Sequence, residues 1–176
     1  MSRNKCVFLD RDGVLNKERG DYTFQIDEFE IIDGVKEALN LLKHLGYLLI
    51  VITNQAGIAK GRYEKEDVMI CHNYLQAETG GLIDDIFFSP HHPITTESLL
   101  RKPDSLMIEK AVAKWSIDPS LSYMIGDSLR DLEASEKAGV KGILVGGKEK
   151  ANFTAPKAQN LLDAVKKYIL SRSNVS

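Results

Sequence analysis

Apolar residues gather into five short runs along the chain, and the stretches between them carry helical spacing. Lys5–Leu9, Leu48–Ile52, Ile83–Phe88, Tyr123–Ile125 and Lys141–Val145 have the length and residue types of strands. Leu48–Ile52 is apolar throughout, as strands covered on both faces are. After the first strand, Asp33 reads as the N-cap of a helix through Leu45, with Val35, Ala38, Leu39, Leu42 and Leu45 on one face and Gly46 as its stop. A second helix runs from Glu64 to Glu78, turning Val68, Cys71 and Leu75 inward and ending at Gly80-Gly81. Pro103-Asp104-Ser105 opens a third, whose buried face is Ile108, Ala111, Val112 and Trp115. Leu129–Ala138, stopped by Gly139, and Asn160–Leu170 complete the set. Alternating strands and helices predict one parallel sheet covered on both faces: a Rossmann-like three-layer α/β/α sandwich, with residues 1–176 as a single domain.

In such sheets, ligands bind beyond the carboxyl ends of the strands. Asp10 and Asp12 follow the first strand, Thr53 the second and Asp127 the fourth, while Lys102 closes the loop after the third. If strand alternation continues through Asp12, the two acids share a side and Arg11 points away, with Gly13 free to break out of the strand. Facing carboxylates favour a cation, and oxygen ligands at this density suit Mg²⁺. Thr53, the backbone N–H groups after it and Lys102 can meet charge on a phosphoryl group. One aspartate can attack phosphorus covalently, and Asp12 is placed to move the proton of the leaving oxygen.

Composition narrows the partners. With 43% hydrophobic and 27% charged residues, the 176-residue chain has the balance of an ordinary globular protein. Its net charge of −2 supplies no overall basic field for nucleic acid or an anionic membrane. No apolar run approaches a membrane span, and Asp10 cuts short the first one. Cys6 and Cys71 sit in apolar-patterned segments as buried thiols, which favours a reduced, cytoplasmic setting; a monomer acting on a small molecule is expected.

Asp10-Arg11-Asp12-Gly13, Thr53, Lys102 and Gly126-Asp127 with Asp131 resemble, in order, the four motifs of the haloacid-dehalogenase-like hydrolases, over residues 7–145. The fuller wording Phe8-Leu9-Asp10-Arg11-Asp12-Gly13-Val14, Thr53-Asn54-Gln55-Ala56-Gly57-Ile58-Ala59-Lys60-Gly61 and Arg101-Lys102-Pro103 is similar to that of the D-glycero-D-manno-heptose 1,7-bisphosphate phosphatases and their histidinol-phosphatase relatives. The resemblance implies Asp10 as nucleophile and metal ligand, and Asp12 as acid/base lending a backbone carbonyl to Mg²⁺. It makes Asp127 the third ligand, Thr53 and Lys102 the holders of the phosphoryl group, Arg101 a substrate contact and Asp131 the group orienting Lys102 from behind. Asn54, Gln55, Lys60, Tyr22 and Arg19 join Arg101 as candidate substrate contacts, with Arg62 as a further cation; Lys60, Arg62 and Arg19 read equally well as surface charge. Lys17–Ile32 is too short for the cap domain of larger members, so an open site is expected.

Two departures bear on the substrate. The bisphosphatases usually carry a zinc loop of one histidine and three cysteines before the Arg-Lys-Pro; this chain keeps His91 but has Ser89, Ser98 and Leu100 where thiolates belong. A tetrahedral site needs its full ligand set, so no structural zinc is expected, and His91 and His92 become loop histidines. Ser128 stands where those enzymes often have lysine. The first reading is a Mg²⁺-dependent phosphatase of a sugar bisphosphate. Histidinol phosphate, a polynucleotide 3′-phosphate and a non-catalytic phospho-ligand module remain as alternatives.

Overall fold

The computed structural model describes residues 3–146 and 154–171; the rest of the predicted 1–176 domain lies outside the described residues. Six parallel strands form one sheet in the order β3-β2-β1-β4-β5-β6. They are β1 (Cys6–Leu9), β2 (Leu48–Asn54), β3 (Asp85–Ser89), β4 (Tyr123–Gly126), β5 (Lys141–Val145) and β6 (Lys157–Ala158). Helices α1 (Val35–His44), α2 (Lys65–Glu78), α3 (Leu106–Trp115), α4 (Leu129–Lys137) and α5 (Leu161–Ala164, continued by a π-helical stretch over Val165–Leu170) fall between and after them.

Strand alternation divides the core in two. Val7 and Leu9 of β1 join Leu49 and Val51 of β2 beneath α1 and α5, with Ala38, Leu42, Leu161 and Ile169 all buried there. Cys6, Phe8, Ile50 and Ile52 face the other way, onto Met107, Ile108 and Ala111 of α3. This confirms the three-layer α/β/α architecture. Burial of each large side chain contributes roughly 1.5–3 kcal/mol.

Three local expectations are corrected, and one strand is new. Helix α1 is not capped by Asp33; it starts behind Gly34, whose φ of 84° is a left-handed geometry that glycine adopts without strain. The third strand starts at Asp85 rather than Ile83, because the Gln76 side chain takes both backbone groups of Ile83, accepting from its N–H at 3.2 Å and donating to its C=O at 2.6 Å. Pro103 lies in a turn closed by Asp104 N–H to Arg101 C=O (2.9 Å), and α3 begins at Leu106. Two-residue β6, led by a lysine, has too little apolar pattern to announce itself and went unforeseen.

The first strand also stops sooner than alternation requires. It ends at Leu9, and the Arg11 carbonyl accepts from the N–H groups of Val14, Leu15 and Asn16, curling the chain into a turn. Arg11 therefore does not point away from the acids. Its guanidinium is buried against Asp12 (2.9 Å) and the carbonyl of Thr23 (2.8 Å). The segment that would house a cap domain folds as a short flap instead. It has one 3-10 turn, Ile26–Glu28, and is tied back by Lys17 N–H to Glu30 C=O (2.8 Å) and Ile32 N–H to Leu15 C=O (3.0 Å).

Candidate active site

The carboxyl ends of β1, β2 and β4 meet at one crevice of about 470 Å³, with Asp10, Thr53, Lys102, Asp127 and Asp131 at its deep end. Lys102, 2% exposed, has its Nζ 2.8 Å from Asp10 Oδ1 and 2.6 Å from Asp131 Oδ1, and donates to the Ile52 carbonyl at 2.7 Å. Burial pulls the Lys102 pKa down, but Asp10 and Asp131 more than offset this and leave it raised, so the amine stays charged. Asp10 is pushed up to about 7, first by burial and then by repulsion from Asp131, in spite of Lys102. Asp10, Asp127 and Asp131 bring carboxylate oxygens within 4.8 Å of one another. Carboxylate oxygens gathered this closely suit a hard divalent cation.

Two glycines permit this crowding. A Cβ on Gly13, whose φ is 84°, would lie 2.4 Å from Asp127 Oδ2, and one on Gly126 would lie 2.2 Å from the Asp131 Cβ. Asp131 is held from its other side, accepting from Ser128 N–H (3.1 Å) and Ser128 Oγ (2.9 Å) at the start of α4. Asn54 fastens Lys102 from below. Its Oδ1 accepts from the Lys102 N–H and its Nδ2 donates to the Lys102 carbonyl, both at 3.0 Å.

Asp12 occupies different surroundings. Its carboxylate lies outside the acidic cluster and accepts from Arg11, from Asn16 Nδ2 (2.9 Å) and from Gln55 Nε2 (3.3 Å). The two aspartates of the motif are thus separated into one surrounded by acids and one surrounded by donors.

A family model described as HAD-hydrolase-like matches residues 99–167. The D-glycero-beta-D-manno-heptose-1,7-bisphosphate 7-phosphatase of Haemophilus ducreyi is 42% identical over 146 residues, covering 78% of this chain and 80% of that protein. A protein of the same name from Photorhabdus laumondii subsp. laumondii is 41% identical and covers 89% of this chain and 88% of its own. The chain belongs to the haloacid-dehalogenase-like hydrolases, in the heptose-bisphosphate phosphatase family. Among solved structures, D,D-heptose 1.7-bisphosphate phosphatase from B. bronchiseptica, complexed with magnesium and phosphate, superimposes with a TM-score of 0.84 at 27% identity, covering 95% of this chain and 99% of that one. The enzyme is a phosphoric monoester hydrolase.

In this phosphatase the outer wall of the crevice is made by loops. Tyr22, Lys60, His92, Arg101 and Arg130 line it, together with Glu18 and Asp21. Arg101 donates to the His91 carbonyl at 3.0 Å, and its pKa is lowered, first by burial and then by neighbouring Arg130. Lys60 sits 5.6 Å over the Tyr22 ring. His92 is drawn down by desolvation, then by Lys60 and Arg101, and so favours its neutral form.

Tyr22, Lys60 and Arg101 thus stand where substrate contacts were expected. Arg19 does not: it is turned to Glu28 Oε2 at 2.7 Å and is not part of the lining. Arg62 faces Asp21 at 3.9 Å. Asn54 and Gln55 reach the crevice, but their polar atoms are taken by Lys102 on one side and by Asp12, Thr53 and Tyr63 on the other. Both support the site from beneath. Arg130 and His92 were not foreseen as crevice residues. The available signal for Arg130 was its place between Asp127 and Asp131, in the first turn of a helix starting at the sheet edge.

The loop before Arg101 is held together by hydrogen bonds and packing. Ser89 Oγ accepts from His91 N–H (3.4 Å), Ser98 Oγ accepts from Leu100 N–H (3.3 Å), and Leu100 packs against the core beneath α3. Cys6 and Cys71 are buried in β1 and α2. Burial raises both thiol pKa values, well above the ordinary value at Cys6.

Proposed function

We propose that the enzyme removes one phosphate from a small sugar bisphosphate, with D-glycero-D-manno-heptose 1,7-bisphosphate preferred, through an aspartyl-phosphate. The observation that carries this reading is the pair of anion-seeking regions in one crevice. Lys102 and Thr53 mark the reacting end, and Lys60, Arg101 and Arg130 stand on the outer wall, where they outnumber the acids Glu18 and Asp21. A monophosphate would use the first and leave the second without an anion. A chain of net charge −2 has no basic track for a polynucleotide.

Asp10 is the nucleophile in this reading. Its carboxylate attacks phosphorus, the bond from phosphorus to the sugar oxygen breaks, and Asp12 delivers a proton to that oxygen. Water then attacks the phosphorus of the aspartyl-phosphate while Asp12 takes its proton, which restores the Asp10 carboxylate and releases inorganic phosphate. Charged Lys102 and the Thr53 hydroxyl stabilise the phosphoryl oxygens throughout.

The crowded carboxylate oxygens of Asp10, Asp127 and Asp131 fit Mg²⁺. Asp10 and Asp127 would hold the ion by carboxylate and Asp12 by its carbonyl, since Asp131 is engaged by Lys102 and Ser128. When bound, the ion supplies charge neutralisation at the carboxylates and phosphoryl oxygens. No structural zinc belongs to this reading: Ser89, Ser98 and Leu100 occupy the loop, and neither cysteine lies in it. We also read the protein as a cytoplasmic monomer. Among the described residues, no helix is long and apolar enough to cross a membrane.

The test is Mg²⁺-dependent phosphate release from heptose bisphosphate, sugar monophosphates, histidinol phosphate and a 3′-phosphorylated oligonucleotide. The bisphosphate should lead in kcat/KM by about tenfold or more, the scale of an added charge-assisted contact. A lead for the oligonucleotide or for histidinol phosphate would overturn the substrate assignment.

A further inference from the structure

The side chain of Gln55 joins two groups with different tasks. It is 2% exposed, and its Nε2 donates both to Asp12 Oδ2 (3.3 Å) and to Thr53 Oγ1 (3.0 Å). Its Oε1 accepts from the Tyr63 hydroxyl at 2.8 Å. That last bond decides which way the amide faces. Flipping it would set its carbonyl oxygen against the Asp12 carboxylate and leave the Tyr63 hydroxyl facing an NH₂ group.

Tyr63 itself has little freedom. A Cβ on Gly57 would lie 2.0 Å from its ring, and it stacks on Phe24 at 5.1 Å and meets Tyr22 edge-on at 5.6 Å. Burial pushes its hydroxyl up to about 12, so it stays a donor at any working pH. The chain of donors then runs one way, from Tyr63 through Gln55 to Thr53. Because Thr53 Oγ1 already accepts from Gln55, its single proton is left to point at a phosphoryl oxygen.

We infer that Gln55, oriented by Tyr63, is a positioning residue that holds the Asp12 carboxylate and the Thr53 hydroxyl at a fixed separation, so that the leaving oxygen of a substrate gripped by Thr53 comes within reach of Asp12. This rests on the reading of Asp12 as the proton carrier. It adds that the carrier is aligned through the same amide that orients a phosphoryl donor, and that the outer end of the device is the Tyr22–Phe24 flap over the crevice.

The consequence is a dependence on the leaving group. A sugar alkoxide needs a proton as it departs, whereas p-nitrophenolate does not, and kcat/KM reports only the steps through that departure. In Gln55→Leu, kcat/KM for a sugar phosphate should fall by about ten- to a hundredfold more than kcat/KM for p-nitrophenyl phosphate, which loses only the share carried by the Thr53 hydroxyl. Tyr63→Phe should show the same selectivity at smaller size. Retained aryl phosphatase activity certifies the fold of each variant. If both substrates lose activity alike in Gln55→Leu, whether from misfolding or from a weakened Thr53, or if neither does, the inference is overturned. Asp12→Asn serves as the reference. Selective loss of the sugar phosphate there upholds the proton-carrier reading independently of Gln55, and equal loss removes that reading and this inference with it.

Discussion

The deep end of the crevice and its outer wall are built by opposite means. At the deep end, Lys102, Thr53 and Asp131 are almost wholly buried; Lys102 is met by Asp10, the Ile52 carbonyl and Asp131 from distant parts of the chain, and Thr53 accepts from Gln55. On the wall, Tyr22, Lys60, His92 and Arg101 stand on loops, and among the described residues the only helical contributor is Arg130 in the first turn of α4. Rigid elements place groups to within the tolerance that covalent chemistry demands, whereas loops can change without disturbing them. Reaction and recognition are therefore separable in this enzyme, and substitutions should reveal it.

The sharpest break belongs to the deep end. Asp10→Asn should lower phosphate release from every substrate by at least about a thousandfold, because nothing replaces the nucleophile. Thermal unfolding should show the fold retained, since Asp131 and the Ile52 carbonyl still hold Lys102. Substantial turnover in this variant would end the covalent reading. On the wall, Arg101→Ala or Arg130→Ala should raise KM for a bisphosphate by about ten- to a hundredfold and move a monophosphate less than threefold. Equal effects on both would erase the distinction between the two regions.

Beneath the deep end, the comparison predicts a cost in acid. His72 is 3% exposed and packs against Phe88, and burial, then the Arg11 charge, lowers its pKa from 6.5 to about 3. Above pH 6.5 it is neutral whether the chain is folded or not. Below that value the unfolded chain takes up a proton that the folded one refuses, so stability falls by about 1.4 kcal/mol per pH unit down to about pH 3. Urea unfolding should show the stability difference between wild type and His72→Leu shifting by about 2 kcal/mol between pH 6.5 and 5 in favour of the variant. A constant difference would mean that His72 is protonated in the folded state. The smallest effect is expected at Arg19→Ala, under about twofold on any kinetic constant, because its partner Glu28 is a surface acid away from the crevice.

The sequence showed the deep end more fully than the wall, where Tyr22, Lys60 and Arg101 were expected but His92 and Arg130 were not. Asp10, Thr53 and Asp127 could be found because apolar runs announce strands, and the polar residue that ends a buried strand is conspicuous. Lys102 followed from its place after the third run. What stayed hidden depends on partners distant in the chain. Nothing near Arg19 says that Glu28 will claim it, and nothing near Gln55 says that Tyr63 will consume its carbonyl. Asp33 carried the composition of a cap, yet Gly34 supplied the turn by backbone geometry alone. The alternation argument for Asp10 and Asp12 failed where the strand stopped, at Leu9, and Arg11 became the partner of Asp12 rather than its opposite.

The clasp of Asn54 on the main chain of Lys102 also bears on how such an enzyme changes over time. Ser89 is paired to Asn54 in the sheet, and Lys102 is bound by the Asn54 side chain, so residues 90–101 leave and return through one fixed socket. Their length and content can drift, or be exchanged wholesale by grafting, while the amine at the base keeps its place. New specificities can then arise in this lineage by replacing a cassette, with no rebuilding of the catalytic floor.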